Sequence, residues 1–362
     1  MVKKWIKQGL KAVFNASAPL FSKKSDMDEK KAREILTACS PPPAGVARAE
    51  NRVVEPVCDL QIVIPAYNVA EFLEGCMNSV LSQKTKYDFR VVLVDDGSTD
   101  ETPKIADRYR ANPRVRVIHQ ENRGFSGARN VAMEVLFARY IMFVDSDDLL
   151  HPGAIEALLD AAYANDCDVA EGGAYYLTGE EQTLMYRHDK AEMVDAAQTF
   201  HGQPWGKVYR TELFRNLRFP EGFWYEDSIL AFLVWPVVKR TCTVTEMAYI
   251  HRRNPKGITA SSQGRPKAVD TYWITEALAQ ERQTLGLPAD EAYFAQLLDQ
   301  IRLNHYRVRQ LSEDAQEAVF VLSCELMART FGENWPESGE KTLVSALKNR
   351  DFGAYRMCCK LY

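Results

Sequence analysis

Four short runs of β-branched and apolar residues, regularly interrupted, constrain this chain more than any other feature. They are LQIVI (60–64), FRVVLV (89–94), VRVI (115–118) and YIMFV (140–144). Runs of this kind suit strands buried on both faces of a parallel sheet. Helical patterns lie between them, over roughly residues 70–82, 102–111 and 127–137. Strand–helix–strand alternation at this spacing predicts a doubly wound, mostly parallel α/β domain. In such sheets ligands bind beyond the carboxyl ends of the strands. The residues just after each run are therefore the ones to read for chemistry.

The first run is followed by Pro65-Ala66-Tyr67-Asn68, with Glu71 three residues on. After the second comes Asp95-Asp96-Gly97-Ser98-Thr99-Asp100, and after the fourth Asp145-Ser146-Asp147-Asp148. Each segment alone reads as a turn with a helix N-cap or an Asx turn. Together, and in order, they place three polar or acidic strand ends at one crevice. So many carboxylates repel one another unless a cation lies among them. A divalent ion such as Mg²⁺ or Mn²⁺ answers this, since hard cations take carboxylate oxygens and bridge phosphates. Gly124 and Gly127 precede or open a helix expected near Ser126. They either bring backbone N–H groups to an anion or only shape the loop. GFSGAR is not a Walker loop, because no Gly-Lys-Ser/Thr follows.

The rest of the chain is less marked. Over 362 residues the net charge is −4, which gives no global basic field for nucleic acid. Eight cysteines are scattered without C-x-x-C or zinc-ligand spacing. They are read as reduced thiols of a cytoplasmic protein. No apolar stretch reaches the length of a spanning helix. Residues 1–24 carry Trp5, Ile6, Leu10, Val13 and Phe14 at helical spacing, with Lys3, Lys4, Lys7 and Lys11 between them. That pattern fits an amphipathic helix lying in the inner face of a membrane, or one docked on its own protein. Residues 25–58, with a charged run and Pro41-Pro42-Pro43, have linker composition. Residues 266–362 have helical periodicity, as in Tyr293-Phe294, Leu297-Leu298 and Ile301. The expected organisation is an N-terminal helix and linker over 1–58, an α/β domain over 59–265 with halves 59–182 and 183–265, and a helical region over 266–362.

The motifs resemble those of the family 2 glycosyltransferases. They are PAYN-x-x-E at 65–71, VDDGSTD at 94–100, NRGFSGARN at 122–130, FVDSDD at 143–148, WGKVYRTELF at 205–214 and the Glu226-Asp227 pair. The resemblance implies a GT-A fold, a nucleoside-diphosphate-sugar donor, commonly a UDP-sugar, and inversion at the anomeric carbon. It implies a nucleoside pocket from Pro65, Tyr67, Asn68 and Glu71. Asp96, or less readily Asp95, would bond the base, and Arg129 would lie near the sugar nucleotide. Asp145-x-Asp147 resembles the D-x-D motif, with Asp147 as metal ligand and Asp145 near the ribose, the donor sugar or the metal.

Trp205 and Lys207 match a motif on the acceptor side, where an aromatic face suits a sugar ring. Arg252, Arg253 and Lys256 resemble a loop that closes on the diphosphate. Their plain alternatives are core packing and a solvated hairpin tip. Glu226 or Asp227 is the expected base, Asp227 being favoured. An acid among Phe223, Trp224 and Tyr225 should be desolvated and its pKa raised. The acceptor implied is a glycan or lipid-linked oligosaccharide of bacterial surface polysaccharide assembly. A non-catalytic scaffold would be favoured by interrupted acids, which are absent. A nucleotidyltransferase would need a glycine-rich loop where the chain has PAYN.

Overall fold

The computed structural model describes residues 18–254, 257 and 262–360. They fall into two compact units. The first, Ala44–Gly222 with Glu226–Gly257, is built on a single large sheet. Its strands in chain order are β1 (Val54–Ala66), β2 (Phe89–Asp95), β3 (Val115–His119), β4 (Leu136–Phe143), β5 (Leu149–Leu150), β6 (Val169–Thr178), β7 (Glu181–Tyr186), β8 (Met193–Val194), β9 (Lys207–Arg210) and β10 (Thr241–Arg252). The spatial order is β3-β2-β1-β4-β9-β6-β10-β5, with β7 beside β6 and β8 beside β10. β3, β2, β1 and β4 are parallel neighbours, as are β6 and β10. β9 runs antiparallel between β4 and β6.

The apolar runs explain the centre of this sheet. Leu60, Ile62, Val63 and Ile64 of β1 are all fully buried, as a strand covered on both faces requires. The helix Leu73–Leu81 turns Leu73, Cys76, Met77 and Val80 onto that core. Each such side chain contributes roughly 1.5–3 kcal/mol relative to exposure. The expected helix over 102–111 forms as Thr102–Asp107 followed by a 3-10 turn, Arg108–Ala111. The one expected over 127–137 begins earlier, at Gly124, and ends at Ala132. Residues from Leu136 instead enter β4, because they pair with β1 from Val54 onward.

The second unit gathers the described residues of Met1–Pro43, Phe223–Tyr225 and Ile258–Tyr362. Helices Asp270–Thr284, Glu291–Val308, Glu313–Phe331, Lys341–Lys348 and Phe352–Cys359 form it. The periodic residues Tyr293, Phe294, Leu297, Leu298 and Ile301 are all buried on Glu291–Val308.

Two expectations about organisation change. Residues 25–58 are not linker throughout, since Glu29–Cys39 is a helix capped by Asp28, whose carboxylate accepts from the Lys31 N–H at 2.7 Å. Ala32 and Leu36 are its buried stripe, and Arg33 forks onto Glu276 of the helix Asp270–Thr284. The helix therefore belongs with the C-terminal helices. The sheet also starts at Val54 rather than near residue 59. The amphipathic pattern of residues 1–17 lies outside the described residues.

Candidate active site

Parallel register brings the polar strand ends to one edge. Ala66 of β1 pairs with Asp95 of β2, and Val63 pairs with Phe143 of β4. Pro65 is half-buried there, Tyr67 is 48% exposed, and Glu71 is exposed just before the helix Leu73–Leu81. Asn68 takes φ +50°, a conformation that asparagine tolerates better than most residues. Its side-chain oxygen accepts from Thr99 N at 2.8 Å, and its N–H donates to Ser98 Oγ at 2.9 Å. Asp100 accepts from Ala70 N at 3.1 Å and Thr102 N at 2.9 Å. The N-cap of the following helix is Glu101, so Asp100 makes an Asx-type turn ahead of it, and Asn68 and Asp100 together tie the DDGSTD loop to the segment 68–70.

The two adjacent aspartates differ. Asp95 is spent on structure: it accepts from Ser98 N at 3.1 Å and faces His119 Nδ1 at 2.8 Å. Asp96 is buried, and its Oδ1 accepts from Arg123 N at 2.9 Å and Gln120 Nε2 at 2.5 Å. Its Oδ2 is buried with no hydrogen-bond partner among the described residues. Burial raises its pKa, because a desolvated carboxylate is disfavoured. A buried acceptor without a donor costs about 1–3 kcal/mol. An incoming N–H would remove that cost.

Arg129, on the helix Gly124–Ala132, is the centre of the acidic cluster. Its guanidinium donates to Asp145 Oδ1 at 2.8 Å and to Glu226 Oε1. The rings of Phe125 and Phe219 lie against it at 5.8 and 5.3 Å. Burial opposes its charge, but the two carboxylates outweigh burial and raise its pKa. Glu226 is buried, and its pKa is pushed up to about 7 by burial and by neighbouring Asp227, against the pull of Arg129. Asp227 is only half-buried. One guanidinium thus joins the expected D-x-D acid to the Glu-Asp pair.

The end of β10 closes the other side. Asp148 is buried, bonded to Arg252 N at 2.7 Å and to His251 Nδ1 at 3.1 Å. Burial pushes its carboxyl up to about 6, with His251 opposing. It is a structural anchor rather than a spare carboxylate. Asp147 accepts from Asn254 Nδ2 at 3.0 Å, and its pKa is raised by burial. Arg252 donates to the Asp147 carbonyl at 2.9 Å, with Phe72 beneath it at 5.0 Å. Arg253 is exposed over the ring of Tyr176 at 4.5 Å. Lys256 lies outside the described residues.

Two acceptor-side expectations are altered by burial. Trp205 is 4% exposed and stacks between Tyr249 at 4.4 Å and His251 at 5.3 Å. Tyr249 in turn receives the Asp145 N–H at 3.0 Å. Trp205 therefore supports the site from behind and offers no open face. Lys207 is wholly buried, 2.8 Å from Glu171 and 2.8 Å from the Gln203 carbonyl it donates to. Burial lowers its pKa. A sealed ammonium cannot grip a phosphate, and Lys207 instead holds Glu171 and the Gln203 carbonyl.

Sequence reading missed the partners of Lys207. Glu171 on β6 is fully buried and also meets His188 Nε2 at 2.9 Å and the His201 N–H at 3.1 Å. Burial opposes its charge, yet Lys207, His188 and His201 hold its pKa well below the usual range. The signal was a lone acid in an apolar strand, AEGGA, paired across strands with Lys207. His119 and Gln120 were also missed, although they end and follow β3 just as Asp95 and Asp96 end and follow β2.

The description "Glycosyl transferase family 2" matches residues 61–223. The chain is 33% identical over 216 residues to the uncharacterized glycosyltransferase EpsJ of Bacillus subtilis, covering 55% of this chain and 62% of that protein. It is 29% identical over 312 residues to glycosyltransferase GlyA of Streptococcus pneumoniae, covering 79% of this chain and 43% of that one. The chain thus spans less than two thirds of the length of these relatives. The crystal structure of S. aureus TarS 1-349 in complex with UDP-GlcNAc superposes with a TM-score of 0.68 over 83% of this chain and 90% of that one, at 21% identity. At that identity the likeness is one of GT-A fold.

Proposed function

The chain carries a family 2 glycosyltransferase domain over residues 61–223, and from that premise we propose that it moves a sugar from a UDP-sugar to a hydroxyl of a glycan or lipid-linked acceptor, with inversion. One observation supports this above the others: Arg129 bridges Asp145 and Glu226, so donor-side and base-side acids share one guanidinium. The TarS chain of similar fold was crystallised with UDP-GlcNAc and with UDP, which favours a uridine nucleotide here.

In this reading Pro65, Tyr67, Asn68 and Glu71 line the nucleoside pocket, and Asp96 Oδ2 accepts the imide N–H of uracil. Asp95 holds the loop rather than the base. Asp227, half-buried beside buried Glu226, takes the proton from the acceptor hydroxyl as it attacks the anomeric carbon opposite the diphosphate. Glu226 holds Arg129. Arg252 and Arg253 offset charge on the departing diphosphate. Glycan assembly at the cytoplasmic face of an envelope membrane is the setting that suits such a donor and acceptor.

We also propose a divalent cation on the donor side, beside Asp145 and Asp147, whose present partners are Arg129 and Asn254. Among the described residues no three His, Cys, Asp or Glu side chains gather into a ready-made cage. Mg²⁺ accepts one or two carboxylates with phosphate oxygens and water completing its shell. Asp147, with Asp145, would hold it, and the bound ion would neutralise charge on the leaving diphosphate.

A panel of nucleotide sugars incubated with Mg²⁺ or Mn²⁺, and again in excess chelator, tests the proposal. Release of UDP that stops in chelator and in Asp147→Ala is expected. Pyrophosphate as the product would point to a nucleotidyltransferase. Full activity in chelator would remove the metal.

A further inference from the structure

His119 is held between two carboxylates. It is the last residue of β3 and the register partner of Asp95 on β2. Its Nδ1 lies 2.8 Å from Asp95 Oδ2, and its Nε2 lies 3.1 Å from Asp107 Oδ1, at the end of the helix Thr102–Asp107. Arg110 donates to the same Asp107 oxygen from the following turn. These are the charged groups that face the ring: Asp95 from β2, Asp107 from the helix, and Arg110 through Asp107.

The donor count decides the protonation state. A neutral imidazole has one N–H, and its other nitrogen is a lone pair. Two carboxylates at hydrogen-bond distance need two donors. Only the imidazolium provides both. Once the proton leaves, one nitrogen meets a carboxylate lone pair to lone pair, and one contact opens. The carboxylates accordingly raise the His119 pKa, Asp95 foremost.

The consequence falls on the candidate nucleoside pocket. Asp95 accepts from Ser98 N at 3.1 Å, and its carbonyl accepts from Gln120 N at 3.0 Å. Gln120 also donates to Asp96 Oδ1. His119 and Gln120 thus hold the two consecutive aspartates, one each. We infer that His119 is a positioning residue for nucleotide binding: as the imidazolium it clamps Asp95 to Asp107 and so keeps Asp96 set for the base. The inference rests on the nucleotide-sugar reading above.

The sign follows from linkage. The clamp is complete below the raised pKa of His119 and is lost as pH rises through it, so nucleotide affinity should fall over that span. Reciprocally, bound nucleotide should raise the His119 pKa further. Asp107→Asn supplies the decisive variant. A neutral imidazole can donate to Asp95 while its other nitrogen accepts from the new amide, so the clamp closes without the extra proton.

The experiment is calorimetric binding of UDP with Mg²⁺ to the full chain from pH 6.5 to 9. UDP's own ionisation is common to all variants and cancels in their comparison. The unsubstituted chain should lose about fivefold or more in affinity across the range, the low end of ordinary site–site coupling. Asp107→Asn should lose much less, and His119→Ala should bind weakly throughout. In parallel, the His119 ring resonance, assigned by its loss in His119→Ala, should titrate at lower pH in Asp107→Asn. Identical pH profiles for the unsubstituted chain and Asp107→Asn would overturn the clamp alone. No UDP binding by the unsubstituted chain at any pH would overturn the nucleotide reading and the clamp with it.

Discussion

Glu226 and Asp227 are neighbours in the chain and meet different surroundings. Glu226 is buried on Arg129, and burial pushes its carboxyl up to about 7. Asp227 is half-buried, and its charge is felt by sealed Lys207. One desolvated acid was expected beside the aromatics 223–225, and the desolvated one is Glu226. Its partner Arg129 lies 97 residues away in the chain, beyond the reach of local pattern. The same limit applies at Asp95 and Asp96. Adjacent residues in DDGSTD read alike until His119 and Gln120 distinguish them. Motifs name the residues of a site, but long-range partners decide which oxygen is free.

At the scale of elements, patterning carries well where one face or both are uniformly apolar. β2, β3 and the helix Glu291–Val308 fall where the runs and periods place them, while β1 and β4 contain their runs but start earlier, at Val54 and Leu136. That last helix also yields a pH prediction. His305 is buried near Tyr355, ring centroids 5.2 Å apart, and its pKa is pushed down to about 4 by burial, aided by Arg356 and Arg309. The unfolded chain takes up a proton near pH 6.5 that the folded chain refuses until about pH 4. Stability is therefore full above about pH 6.5 and declines as pH falls towards 4. The difference amounts to about 3 kcal/mol. Urea unfolding at pH 7 and pH 4.5 should show a smaller loss for His305→Leu than for the unsubstituted chain, and equal losses would exclude His305 as the cause.

Less was legible where pairing overrides pattern. β6 contains Gly172 and Gly173 because neighbours crowd it: a Cβ on Gly172 would lie 2.7 Å from the Ala248 Cβ, and one on Gly173 would lie 2.6 Å from Met247 Sδ. Glycine weakens the strand signal there. The helix Glu29–Cys39 was hidden by charge, since only Ala32 and Leu36 form its buried stripe while Arg33 pairs with Glu29 and Glu276. The apolar run after Asp227 folds as a π-helix, Leu230–Val234.

At the scale of the whole molecule, no helix among the described residues is long and apolar enough to cross a membrane. Contact with a membrane surface would rest on residues 1–24, where Lys3, Lys4, Lys7 and Lys11 alternate with Trp5, Leu10 and Phe14. Apolar burial and attraction to anionic lipid would act together there. The 362-residue chain should co-sediment with anionic vesicles, less so as salt rises. A truncation beginning near residue 50 that sediments equally well would reject that contact.

The central claim is that the crevice of Asp96, Arg129 and Asp145 holds a nucleotide sugar for attack by a hydroxyl that Asp227 deprotonates. Turnover and UDP affinity measured together on Asp227→Asn and Glu226→Gln test it most directly. The account predicts that Asp227→Asn keeps its fold and its UDP affinity yet loses roughly a hundredfold or more in kcat, with a milder loss in Glu226→Gln. Near-normal turnover in both variants would contradict it.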